Sequence, residues 1–253
     1  MRSFTIFVTA FILLNINSIL AFSQDPESQE EKGPEFSYGI DGGFSNKYLW
    51  RGICYNNGLI FQPDVYVSYG NLSFTAWCNI PVWETDKLNT NGNEIDFTLG
   101  YSNSFFNFDL ESSLNYYHYF YDPDASTSEF IINLSYPIGD FSLFTGFSVD
   151  ILQYAGAMYD ELGIEYEKEL SDRFTISGSL LTAVASKKFN KNYLEVEKSA
   201  FNLLGANATL TYSPFADFHI DAHFQFNHTL DKELIESMNA NSNYFEIILR
   251  KEF

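Results

Sequence analysis

Basic side chains are scarce in this sequence of 253 residues: 14 lysines and arginines stand against 33 aspartates and glutamates, a net charge of −19. Such an excess repels phosphates and excludes nucleic acid as a partner. Cysteine is almost missing. Cys54 and Cys78 alone are too few for a small disulfide scaffold; they allow one bridge or two free thiols, and free thiols are the expectation. No long apolar run occurs after residue 23, so no transmembrane helix is expected there. P-loop, dinucleotide, zinc-cluster and G-x-S-x-G motifs are absent as well, which removes the usual grounds for a cofactor or a nucleophilic enzyme.

The first 23 residues, MRSFTIFVTAFILLNINSILAFS, carry one charge at Arg2, then an apolar stretch, then small residues at Ala21 and Ser23. This order predicts a secretory signal peptide, 1–23, cut after Ser23. Asn15, Asn17 and Ser18 interrupt the stretch and leave it short of the roughly 20 apolar residues of an anchor helix. No cysteine at the cut offers a site for a lipid. The 230 residues that remain carry 13 basic and 33 acidic side chains, a net charge of −20. Residues 24–34, QDPESQEEKGP, are acidic with two prolines and read as a flexible leader. Residues 35–253 make one large domain.

What the sequence has in abundance is rings: 26 Phe and 17 Tyr bring aromatics to 18%. They are set out with a period of two. In DVYVSYGNLSFTAWCNIPVW (64–83), Val65, Val67 and Tyr69 face one way and Gly70-Asn71 offers a tight turn; Leu72, Phe74, Ala76, Cys78, Ile80 and Val82 then share a face. This is a β-hairpin. Twelve such segments run near 36–50, 59–69, 72–83, 94–105, 106–120, 129–137, 140–151, 157–168, 174–186, 200–212, 216–228 and 243–253. The connection after every second one is short, as in GN, the Phe105-Phe106 junction and IG. The others are mostly longer and polar, as in ETDKLNTNGN and KKFNKNYLEVEKSA. Short turns at one end and long loops at the other predict an all-β fold, a single transmembrane antiparallel β-barrel of about 12 strands with up-and-down topology. Its place is the bacterial outer membrane, with the short turns and both termini in the periplasm. A soluble sandwich shares the local alternation. Segments near the 9 to 11 residues of a tilted membrane strand, rings at segment ends and alternating loop lengths favour the barrel. A sheet in hydrocarbon can leave no open edge. The last segment, with Phe245, Ile247 and Leu249 outward, must therefore pair with the first.

The polar face carries the candidate site. Continued along every segment, the alternation turns Asp41, Asp64, Tyr66, Glu94, Asp96, Asp109, Glu111, Glu129, Asp150, Glu165, Asp217, His219, Asp221 and His223 inward as pore-lining residues, against few bases, of which Lys47, Arg51 and Arg250 are the clearest. An acidic lining favours cations; alternatively, the acids only hydrogen-bond to tyrosines and serines in a filled interior. Eight strands give a filled barrel and 16 to 18 an open channel, and twelve lies between. Arg51 either folds inward opposite Asp64 or Glu94, or anchors the strand at the membrane surface with Trp50 in the aromatic belt. His219 and His223 share a face but stand roughly 13 Å apart at about 3.3 Å per residue, so no metal site is read. His118 and His228 lie near strand tops on the lipid side, as a membrane hydrolase would need, yet Ser112 is about 20 Å from His118 along its strand. The chain is not read as an enzyme, and no catalytic residue is assigned.

SNKYLWRGICYNNGLIFQPDVYVSYGNLSFTAWCN (45–79) resembles the first hairpin of the TorF-type outer-membrane porin family. It has an S-x-x-Y-x-x-R-G segment, a strand ending in Tyr-Gly, and an aromatic-small-aromatic strand. NEIDFTLGYSN (93–103) and LNYYHYFY (114–121) are similar to the strands that follow there. The resemblance covers the first half; past about residue 150 only the barrel pattern continues. It implies a passive channel for small hydrophilic solutes, set in outer-membrane lipid and needing no cofactor. It also implies that the outer-membrane assembly machinery reads the aromatic residue Phe253. A plugged or narrow barrel serving surface binding, adhesion or envelope integrity is the alternative.

Overall fold

The computed structural model describes residues 34–84 and 93–253. The expected signal peptide and all but Pro34 of the leader lie outside the described residues. The chain forms β1 (Phe36–Ser45), a small hairpin of β2 (Tyr48–Trp50) and β3 (Ile53–Asn56), then β4 (Gly58–Tyr69), β5 (Leu72–Glu84), β6 (Glu94–Phe105), β7 (Phe108–Tyr119), β8 (Thr127–Ile138), β9 (Phe141–Asp150), β10 (Met158–Ser171) and β11 (Phe174–Ala185). Helix α1 (Lys187–Leu194) leads to β12 (Ala200–Phe215) and β13 (Phe218–Thr229), and α2 (Ile235–Met238) leads to β14 (Asn241–Glu252). All strands but β2 and β3 join one closed antiparallel wall, sealed where β1 pairs with β14. These are the twelve wall strands read from the alternation.

The wall is inside out relative to a soluble protein. Ile40, Leu99, Leu162 and Leu180 are each at least half exposed on its outer face, while Asp41, Asp96 and Glu165 on the same strands are buried. A continuous apolar band around a closed barrel matches hydrocarbon and would not persist in water. Rings cluster at the turn end of the strands: Phe108 with Tyr136 and Phe141 with Tyr166, each 5.0 Å between centroids, and Phe174 with Tyr212 at 4.9 Å. Phe253 stacks on Tyr38 at 5.3 Å, and its amide donates to the Tyr38 carbonyl at 2.9 Å. In the β6–β7 turn, Phe106 and Asn107 both have positive φ, 48° and 67°. A ring in that conformation costs about 1–2 kcal/mol; Phe106 is 91% exposed at the girdle, where insertion at the membrane–water boundary offsets the cost.

The expected first segment, 36–50, is not one strand. The wall strand stops at Ser45 because Asn46 takes both partners of Phe245: its amide donates to the Phe245 carbonyl at 3.1 Å, and its side chain accepts from the Phe245 amide at 2.9 Å. The chain then turns inward as the β2–β3 hairpin. Arg51 and Gly52, with φ of 49° and 80°, supply the two left-handed residues that a type I′ turn demands.

The hairpin meets an apolar cluster on the loop side. Phe189 and Leu194 of α1, Leu234 and Met238 pack with Ile53, Tyr159, Ala183 and Leu203, all buried. Ser186 caps α1 by accepting from the Phe189 amide at 3.2 Å. A bulge where Ala183 and Val184 oppose Leu203 and Phe201 gives β12 an extra residue, Asn202. Asn202 exchanges hydrogen bonds of 2.8 and 3.2 Å with Asn190, which ties the helix to the wall. The loop-side half of the barrel is thus filled by the hairpin, the helices and their apolar cluster, with buried polar pairs among them, and the polar lining dominates the turn-side half. Cys54 and Cys78 are free thiols, one in the hairpin and the other on the outer face of β5.

Candidate functional site

One row of the sheet gathers the interior charge. Across the hydrogen-bonding direction Tyr117 of β7 pairs with Asp96 of β6, Asp96 with Trp77 of β5, Trp77 with Asp64 of β4, and Asp64 with Asp41 of β1. Asp41 pairs in turn with Arg250 of β14, and Arg250 with His219 of β13. Directly opposed residues have Cβ atoms about 4.5–5.5 Å apart, so Asp41 and Asp64 repel at close range. Arg250 answers them, with one guanidinium nitrogen 2.5 Å from Asp221. Because barrel strands tilt, the row descends from the loop side at Asp96 to the turn side at His219. Among the described residues neither carboxylate oxygen of Asp41 has a hydrogen-bond partner.

Above this row sits the hairpin, held by a buried ion pair. Arg51 donates from both guanidinium nitrogens to Glu129, at 2.8 and 2.9 Å, and to Ser148 at 2.8 Å. Its guanidinium carbon lies 4.4 Å from the Trp50 ring centre and 4.6 Å from that of Tyr159. The Tyr117 hydroxyl donates to Glu129 at 3.0 Å. Arg51 therefore does turn inward, but its partner is Glu129 and not Asp64 or Glu94. Trp50 packs against Tyr193 at 5.3 Å and Phe189 at 5.9 Å inside the barrel, away from the lipid belt.

Below the hairpin a cavity of about 620 Å³ extends from Tyr48, Leu49 and Trp50 to the β10–β11 turn at Arg173 and to Pro214. Trp77, Asp96, His223, Glu246 and Arg250 are on its walls. A closed twelve-strand wall with a lipid-facing belt and a polar cavity has counterparts among solved structures. The fold is that of bacterial outer-membrane porins. The chain is similar to the KdgM porin at 10% identity and a TM-score of 0.54, over 85% of this chain and 99% of that one. It is similar to the NanC porin at 11% and 0.54, over 85% and 98%. A KdgM porin in complex with disordered oligogalacturonate gives 8% and 0.50, over 86% and 99%. No protein-family model and no curated protein matches the chain.

Within this porin fold the other expected residues separate by environment. Tyr66 and Glu165 face the interior, and Glu94, almost fully buried, is hydrogen-bonded to Tyr48 of the hairpin, to Asp96 and to Tyr119. Glu111 is half-buried; Asp109, near the turn side, accepts from Ser104 at 2.5 Å. Asp150 is taken up by the loop after β9: it accepts from Thr127 at 2.6 Å and from the Leu152 and Tyr154 amides at 3.0 and 2.9 Å. Asp217 does not face the interior. The strands break at Phe215 and resume at Phe218, so residue 217 sits in the turn, free of the alternation, and pairs with Lys251 on the outer side. Lys47 lies at the loop-side rim, 3.4 Å from Asn243. His219 and His223 each engage a hydroxyl through Nδ1, Ser213 at 2.8 Å and Thr209 at 2.9 Å. Among the described residues no three His, Cys, Asp or Glu side chains are placed to hold a metal. The hydroxyl beside His118 is Ser126, at 3.3 Å, and not Ser112. Five inward acids of the described strands are not among those expected from the sequence, Glu161, Glu167, Glu169, Glu246 and Glu252, although the parity of Glu165 and Arg250 already places them on the same face.

Proposed function

We propose that the chain is a passive outer-membrane channel for small hydrophilic solutes, with a preference for cations and with the β2–β3 hairpin as its constriction. The observation that carries this reading is the acid-lined cavity of about 620 Å³ inside a closed porin-type wall. On its walls Asp96, Glu167, Glu169, Asp221, Glu246 and Glu252 outweigh Arg173 and Arg250, and carboxylates in a low-dielectric tube lower the potential along it. One KdgM porin structure contains oligogalacturonate, a polyanion; the lining of this chain argues for solutes of the opposite charge. The TorF-type resemblance of residues 45–121 agrees with a passive channel, and the reading assigns no catalytic step. Phe253, stacked on Tyr38, is taken as the residue that the assembly machinery recognises.

The test is a planar-bilayer recording under a tenfold salt gradient. A reversal potential toward the cation Nernst value supports the reading; anion preference, or no conductance from correctly folded protein, overturns it. The filled loop-side half favours a second reading, a closed barrel serving adhesion or envelope integrity. Liposome swelling with sugars of graded size separates the two, since a closed barrel passes none.

A further inference from the structure

The loop-side end of the cavity has walls unlike the rest of it. Asp96, 5% exposed, has one carboxylate oxygen without a hydrogen-bond partner among the described residues. It stands in register between Trp77 and Tyr117 on the adjacent strands. Tyr48, from the underside of the hairpin, closes over this group with its ring centre 5.8 Å from that of Trp77. All four side chains line the cavity.

Glu94 shares a hydrogen bond with Asp96, and three rings beside this pair of acids are poor company for an anion and for a strongly hydrated metal ion. An anion would meet both acids, and a small hard cation would need about six oxygen ligands where three of the walls are rings. A weakly hydrated alkylammonium group fits instead. Its methyl or methylene surface lies against ring faces, its positive charge is drawn to the ring quadrupoles, and the carboxylate balances it. We infer that this ring-walled end of the cavity binds quaternary or methylated ammonium solutes, entering from the turn side while the hairpin is docked. The inference rests on the cation-preferring lumen proposed above and names the class of cation.

The experiment uses the full chain folded in detergent and choline as the probe, with binding followed by calorimetry and by tryptophan fluorescence. The neutral carbon isostere 3,3-dimethyl-1-butanol and the dianion succinate serve as comparisons. Saturable choline binding is expected, at least tenfold tighter than the isostere, with no succinate binding. Asp96→Asn should weaken it tenfold or more, Trp77→Leu severalfold, and Glu197→Gln, in an exposed loop, not at all. Equal affinity for choline and the isostere, or no saturation by choline, overturns the inference on the unmodified protein, whatever the variants do. Because binding is read without a membrane, a barrel that conducts cations but ignores choline overturns only this inference. One that binds choline but never conducts overturns only the channel.

Discussion

Removing the Arg51 guanidinium should release the hairpin. Arg51→Asn deletes the charge while keeping a residue that tolerates the left-handed conformation at φ 49°. Glu129, 1% exposed, then stays behind as a buried carboxylate that has lost the cation it faced. A pair at about 4 Å is worth about 4 kcal/mol at an effective dielectric near 20, and breaking one side of a buried pair costs about 3–5 kcal/mol by mutation. At about 1.36 kcal/mol per factor of ten, docking weakens roughly 160- to 4,700-fold. Tyr48, Leu49 and Ile53 still favour docking by about 1.5–3 kcal/mol each, set against the entropy of ordering the segment, so the change falls where docked and undocked states exchange. Single-channel recording should show a low-conductance level in the unmodified protein and a larger, flickering level in Arg51→Asn. Arg51→Asn with Glu129→Gln leaves no charge to bury and should fall between them. Traces of Arg51→Asn identical to those of the unmodified protein would refute both the pin and the hairpin as constriction.

Three further outcomes follow from particular contacts. Gly163→Ala places a Cβ against the Phe144 ring and 2.6 Å from the Leu180 carbonyl; urea unfolding in lipid vesicles should show a loss of about 1–3 kcal/mol, as in overpacking. Arg250→Gln removes the base that faces Asp41 and Asp221, so the reversal potential should move further toward the cation value, and a move the other way would contradict the charge assignment. On the exposed loop after α1, hydrogen bonds and charge from Lys191 and then Lys187 hold Glu197 below the usual carboxylate value of 4.5. A depressed folded value means that the tie is fully present above pH 4.5 and is lost only as pH falls through the lower folded value, so α1 amide exchange should accelerate only well into acid.

Alternation made the wall legible, because a period of two assigns each side chain to lipid or lumen whatever its partners are. It could not say where a strand leaves the wall. Tyr48, Trp50 and Arg51 continue the pattern of β1, and what ends that strand is the Asn46–Phe245 exchange, a contact across 199 positions. Parity likewise named Glu129 and Asp150 as inward without showing that each is held, one by Arg51 and the other by a loop. Asp217 was misplaced because a turn carries no parity. The row from Tyr117 to His219 depends on the register of seven strands, which no single segment encodes.

The hairpin and the acidic row form one linked device. Tyr48 belongs to both: it is part of the hairpin that Arg51 pins, and its ring forms one wall of the group around Asp96. A cation held there gains from Tyr48 only while the hairpin is docked, so binding and docking favour each other by the same free energy. When only a fraction of molecules is docked, apparent affinity falls by that fraction. A bound ammonium should therefore close the constriction it sits beneath, and Arg51→Asn should weaken its binding although Arg51 is not on the cavity wall. On the proposed cation-preferring reading, the acidic row and the hairpin would thus act through two aromatic side chains, Tyr48 and Tyr117, the second of which also donates to Glu129.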